Sequence, residues 1–113
     1  MMLNQRRLDD VVILDASGRI TIGEGTIMLR EHIRKALEAG DRKFLLNLSD
    51  IGYIDSSGLG ELVSSFTTVR NLGGQFKLLN LTKRVHDLLQ ITKLLTVFEA
   101  YNSEAEALKS LRQ

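Results

Sequence analysis

The sequence predicts an α/β domain built on a mixed sheet, and three observations carry that expectation. Two stretches that read as strands, the second of them apolar, open the chain on either side of Asp9-Asp10, a turn-forming pair, so they should make an antiparallel hairpin. Beyond residue 22, segments with apolar residues three and four apart alternate with short apolar runs, which is the pattern of helices and buried strands taking turns. The third observation is the stretch Asp50-Ile-Gly-Tyr-Ile-Asp-Ser-Ser-Gly-Leu-Gly-Glu-Leu62. It follows the apolar run Phe44-Leu-Leu-Asn-Leu48 and leads into Leu59, Leu62, Val63, Phe66 and Val69, one face of a helix.

The elements follow in chain order. Residues 3–8 and 11–16 form the hairpin, with Val11, Val12, Ile13 and Leu14 in its more buried arm. Ser17-Gly18 interrupts the pattern, and residues 19–22 continue it as a short extended piece. Gly23-Glu24-Gly25-Thr26 opens a helix whose inward face is Leu29, Ile33, Ala36 and Leu37, and Gly40 ends it as the glycine after the last turn. Residues 43–48 form the central strand. A helix from about Ser57 to Asn71 stops at Gly73-Gly74, and residues 75–80 are the next strand. Thr82 caps a helix that buries Val85, Leu88 and Leu89. Residues 95–98 read as a last, edge strand. Ser103-Glu-Ala-Glu106 is a capping box that opens a final helix with Ala105, Leu108 and Leu111 inward. Crossovers around the first two helices should be right-handed.

Composition narrows the function. A chain of 113 residues is one domain with a core large enough to fold unaided, so residues 1–113 are read as a single unit. Cysteine is absent, which removes disulfides, thiolate catalysis and cysteine metal sites; His32 and His86 lack the spacing of metal ligands, so no metal is expected. A net charge of +1 gives no broad field for nucleic acid or an anionic membrane. No run reaches membrane-spanning length and the N-terminus lacks a signal-peptide core, so a cytoplasmic location is expected.

Chemistry concentrates where the central strand hands over to the following helix. Free N–H groups and the helix dipole make the position of Asp55, Ser56 and Ser57 a natural place for an anion. By spacing alone either serine could cap the helix, and Asp55 could supply a charge that favours the dipole. Gly58 and Gly60 flank Leu59 and remove side chains that would hold another molecule's backbone away. No Lys-Ser/Thr follows at phosphate-loop spacing, so no nucleotide or other cofactor is expected. Lys83 and Arg84 fall in the first turn of a helix, where cations oppose the dipole. If the strands ending near Asp50 and Asn80 are parallel neighbours, these two cations share an edge with Ser56 and could pair with a partner's acidic surface or with phosphorylated Ser56.

Ile54-Asp-Ser-Ser-Gly-Leu-Gly60 resembles the signature of the STAS domain family, in particular its anti-sigma factor antagonists. Leu14-Asp-Ala-Ser-Gly-Arg-Ile20 and Gly73-Gly74-Gln-Phe-Lys-Leu-Leu79 extend the likeness over nearly the whole chain. The resemblance implies a mixed sheet of four or five strands with helices packed against it. It implies a non-enzymatic partner switch. Unmodified, such a protein binds an anti-sigma factor, often itself a serine kinase, and frees a sigma factor. The kinase inactivates it on the first serine after the aspartate, here Ser56, and a phosphatase restores it. Ser57 is then left as the cap, and Asp55 orients the hydroxyl or meets the kinase. Gly23-Glu24-Gly25 becomes a second contact loop; many members carry an aspartate just before it, where this chain has Thr21.

Other functions fit the sequence less well or less specifically. A STAS scaffold in a signalling or transport assembly keeps the fold and changes the job, and a homodimer stays open. A phospho-aspartate receiver would need Asp9-Asp10 beside Asp55 at the carboxyl end of a strand to hold a divalent ion. A hydrolase would need a base placed to activate Ser56, and the motif supplies none.

Overall fold

The computed structural model describes residues 1–112. In chain order the elements are β1 (Met2–Leu8), β2 (Val11–Ile20), α1 (Glu24–Glu38), β3 (Lys43–Ile54), α2 (Ser56–Asn71), β4 (Gln75–Leu79), α3 (Lys83–Ile91), β5 (Ala100–Tyr101) and α4 (Glu104–Leu111). The sheet order is β1-β2-β3-β4-β5. β1 pairs antiparallel with β2, and every later pairing is parallel. This is the mixed α/β sheet the sequence predicts, at the five-strand end of the range.

Strand periodicity decides which helix covers which face. Val12, Leu14 and Ile20 of β2 share a core with Phe44, Leu46 and Leu48 of β3, Leu29 and Ile33 of α1, Leu62 and Val69 of α2, and Val85 and Leu89 of α3. Val11 and Ile13, the alternate residues, face the other way with Leu45 and Leu79 and are covered by Ala107 and Leu111 of α4. Where α4 begins, polar side chains take over that face. Arg6 pairs with Asp15 and Glu104, and Asn47 donates to Asp15 Oδ1 at 2.9 Å. α1 and α2 are tied by Arg30, whose Nη2 donates to buried Glu61 at 2.8 Å.

Glycine closes two helices as expected. Gly40 sits at φ +101°, with its N–H on Leu37 O and the Asp41 N–H on Ala36 O. Gly73, at φ +81°, repeats the motif after α2. α3 closes the same way without a glycine, through Lys93 at φ +62°.

Several boundaries differ from the sequence reading. β2 runs unbroken to Ile20, absorbing Ser17-Gly18 through register shifts against β3 and a positive φ at Gly18. β3 continues past Leu48 to Ile54, burying Ile51 and Ile54. Residues 95–98 are not a strand. Once Lys93 turns the chain, Leu94 and Leu95 pack back against the core and Phe98 stacks edge-on against Phe66, so the apolar run is consumed in turns and the edge strand is Ala100–Tyr101. In α4 the inward alanine is Ala107, not the exposed Ala105, because Ala107 and Leu111, four apart, form the buried stripe, with Leu108 half-buried. Leu88 is also only half-buried.

Candidate functional site

Parallel pairing of β2, β3 and β4 puts their carboxyl ends on one edge, and Ser56 follows β3 there directly. Asp9-Asp10 joins the opposite end of β2, where Val11 pairs with Lys43. That separates the acidic pair from Asp55 by the length of the strands and removes the receiver arrangement.

The cap of α2 is Asp55, not Ser57. Extended backbone at Asp55 lets its Oδ1 accept the Gly58 N–H at 2.7 Å, while Oδ2 accepts the Ile22 N–H at 3.0 Å. Its own N–H reaches Ile20 O at 3.3 Å. Asp55 therefore fastens the end of β2 and the loop before α1 to the start of α2. The N–H groups of Ile22 and then Gly58, with that of Ser57, hold its carboxyl below the ordinary aspartate value. A carboxylate reaches two loops where a serine hydroxyl could reach one.

Ser56 is exposed at the first helical position, and its hydroxyl has no intramolecular hydrogen bond among the described residues. Ser57 is half-buried and likewise unbonded at Oγ. The two glycines differ. A methyl on Gly58 would collide with the carbonyl oxygen of Ile20 and lie 2.8 Å from Ile54 Cγ2, so this glycine serves the chain's own packing. Gly60 is exposed with open space around it. Leu59 is buried between them, at the floor of a groove.

That groove, about 750 Å³, runs between the start of α2 and the face of α3. Ser56, Asp55 and Leu59 line one side; Lys83, Arg84, Leu88 and Ile91 line the other, with Tyr53 at the end of β3. Lys83 and Arg84 thus share an edge with Ser56, as the parallel-strand argument requires. Lys83 Nζ pairs with Asp87 at 2.8 Å, a bond that raises the lysine and lowers the aspartate from their ordinary values. Arg84 Nη1 reaches Gly52 O at 3.4 Å. Thr82 Oγ1 caps α3 by accepting the Val85 N–H at 3.2 Å.

Thr21, Gly23 and Glu24 lie on the other side of Asp55 and do not line the groove. Thr21 O accepts the Thr26 N–H at 3.2 Å, and Gly23, at φ +98°, starts α1 with no side-chain cap. Glu24 is exposed in the first turn. An apolar rim that the sequence reading missed surrounds the site: Ile22 in this loop is 76% exposed, Tyr53 of β3 44% and Ile91 of α3 78%. A signal for Ile91 existed, since it extends the Leu88 stripe by one turn. Ile22 and Tyr53 carried none.

The STAS domain family model matches residues 2–107. The chain belongs to the STAS domain family. A candidate anti-sigma factor antagonist of Thermotoga neapolitana is 32% identical over 111 residues, 98% of each chain. The anti-sigma-B factor antagonist of Bacillus subtilis is 30% identical over 86 residues, 76% of this chain and 77% of that one. The crystal structure of a candidate anti-sigma factor antagonist from Thermotoga maritima superposes with a TM-score of 0.90 at 29% identity, covering 98% of this chain and 95% of the other. Among the described residues, no helix is long and apolar enough to cross a membrane and no group of acidic or histidine side chains could hold a metal.

Proposed function

We propose that the chain is an anti-sigma factor antagonist, a single STAS domain over residues 1–113 that works in the cytoplasm by switching partners. Unmodified, it binds an anti-sigma factor that is also a serine kinase, and so releases a sigma factor. The kinase, which brings its own ATP, transfers the γ-phosphoryl to Ser56: the Oγ–P bond forms, the β–γ bond breaks and the hydroxyl proton leaves to the kinase. A phosphatase reverses the change. The observation that carries this reading is Ser56 itself, exposed, unbonded and rimmed by exposed apolar side chains.

On this reading the contact surface is continuous across Asp55. Ser56, Ser57 and Gly60 lie at its centre over Gly58 and Leu59. Thr21, Gly23 and Glu24, with Ile22, form one flank; Lys83 and Arg84, with Tyr53 and Ile91, form the other. Phosphorylation adds roughly −1.5 to −2 charges to a surface that packs against a neutral hydroxyl. An interfacial like-charge or desolvation penalty of several kcal/mol corresponds to a loss of about two to three orders of magnitude in affinity. Asp55 acts by shape, fixing the two loops relative to one another.

The test is a capture from native cell extract with wild-type, Ser56→Ala and Ser56→Asp baits, with phosphorylation of the wild-type bait mapped. A kinase-type anti-sigma factor held by the first two and lost by the third is the expected result. Identical partners on all three baits, with Ser56 unmodified, would sink the switch and leave a scaffold.

A further inference from the structure

Three features of the groove concern what happens after Ser56 is modified. The N-cap position of α2 is already filled: Asp55 takes the Gly58 N–H with one oxygen and the Ile22 N–H with the other. A phosphate on Ser56 therefore cannot be neutralised by that cap, and it stands beside a carboxylate that those bonds keep ionised. Lys83 and Arg84 face Ser56 across the same groove. Both are exposed at the first turn of α3, where their charges oppose the helix dipole, and each is held by a single surface bond, to Asp87 and to Gly52 O respectively. Between them the groove is apolar, with Leu59 at its floor, Leu88 on the α3 side and Ile91 at the rim.

We propose that phosphorylated Ser56 turns into this groove and pairs with Lys83 and Arg84, so that the switch closes its own partner surface. This rests on the reading of Ser56 as the modified residue. The phosphate offers three strong acceptors, enough for the lysine and for the arginine fork together. Lys83 exchanges Asp87 for a dianion, and Arg84 exchanges a carbonyl for one. The exchange removes an electrostatic misfit at α3 and answers the charge that Asp55 leaves unanswered at α2. The bridge then lies over Leu59 and Leu88, so the kinase loses both the hydroxyl and the apolar floor. Repulsion alone would leave that floor open.

The experiment needs no kinase. Phosphoserine is incorporated at position 56 during translation, and the phosphate is titrated by ³¹P NMR in otherwise wild-type protein, in Lys83→Ala/Arg84→Ala and in Lys83→Arg/Arg84→Lys. Nearby cations favour the dianion. The wild-type phosphate should half-titrate about one pH unit below that of the double alanine variant, with the charge-preserving swap close to wild type. Amide shifts on phosphorylation should reach residues 83–91 as well as 54–60. Equal titration in all three proteins, or shifts confined to residues 54–60, overturns the proposal and leaves Ser56 phosphorylation standing. Absence of phosphate on Ser56 in cells is read separately by the bait mapping. Matching melting temperatures of the unmodified proteins confirm that the substitutions act on the phosphate.

Discussion

Two helix starts face each other across the groove, and they are built oppositely. α2 begins with a charged cap: Asp55 satisfies Gly58, reaches back to Ile22 and leaves the following residues small, with Gly58 pressed on Ile20. α3 begins with the neutral cap Thr82 and then two cations that its dipole disfavours. On the first side a carboxylate complements the helix start; on the second, exposed cations oppose it. A regulatory hydroxyl is well placed on the first, because its modification need not unfold the helix, and a charge that responds belongs on the second.

The sharpest way to break the contrast is Gly58→Ala. The added methyl meets backbone at Ile20 rather than a yielding side chain, so the start of α2 must lift from β2. A loss of about 3 kcal/mol is expected by chemical denaturation, within the range for overpacked sites. Gly60, two residues along and on nearly the opposite face of the same helix, should do the reverse. Gly60→Ala adds a methyl in open space and should stabilise by about 0.5–1 kcal/mol while weakening capture of the partner. If the two alanines moved stability alike, the division between a packing glycine and a surface glycine would be wrong.

On the α3 side, Thr82→Ala should cost about 1 kcal/mol, since a neutral cap serves only its own helix. Asp55→Asn isolates charge from cap shape. Because the folded protein holds the Asp55 carboxyl below its ordinary value, its contribution is complete above that value and fades as pH falls through the lowered one. Thermal melts of wild type and Asp55→Asn should therefore differ near neutrality and converge in acid; parallel curves would contradict the charged-cap account. The smallest expected effect is Arg84→Gln in unmodified protein, which leaves the Lys83–Asp87 pair in place and should raise the melting temperature slightly by relieving the dipole misfit.

The same contrast explains what the sequence made legible. Alternation and helical spacing placed the hairpin, the order of strands and helices and the faces of α1 and α2, because one buried stripe per element suffices to orient it. The Ser56 position was readable because Ile54-Asp-Ser-Ser-Gly-Leu-Gly60 sits where a strand meets a helix. Asp55 was harder: capping rules admit Asp, Ser and Ser in succession, and only the nearness of Ile22, distant in sequence, selects the carboxylate. The true edge strand escaped because Ala100-Tyr101 has no periodicity of its own and pairs only after Lys93 has turned the preceding apolar residues inward. Ala107 and Ala105 are indistinguishable until the position of α4 on the sheet is known.

The most direct measurement of the central claim is a binding titration of the purified anti-sigma kinase against the unmodified chain and the chain carrying phosphoserine at position 56. The unmodified chain and Ser56→Ala should bind alike, and the phosphorylated chain about 10²–10³-fold more weakly. Equal affinities for the modified and unmodified chains would contradict that claim.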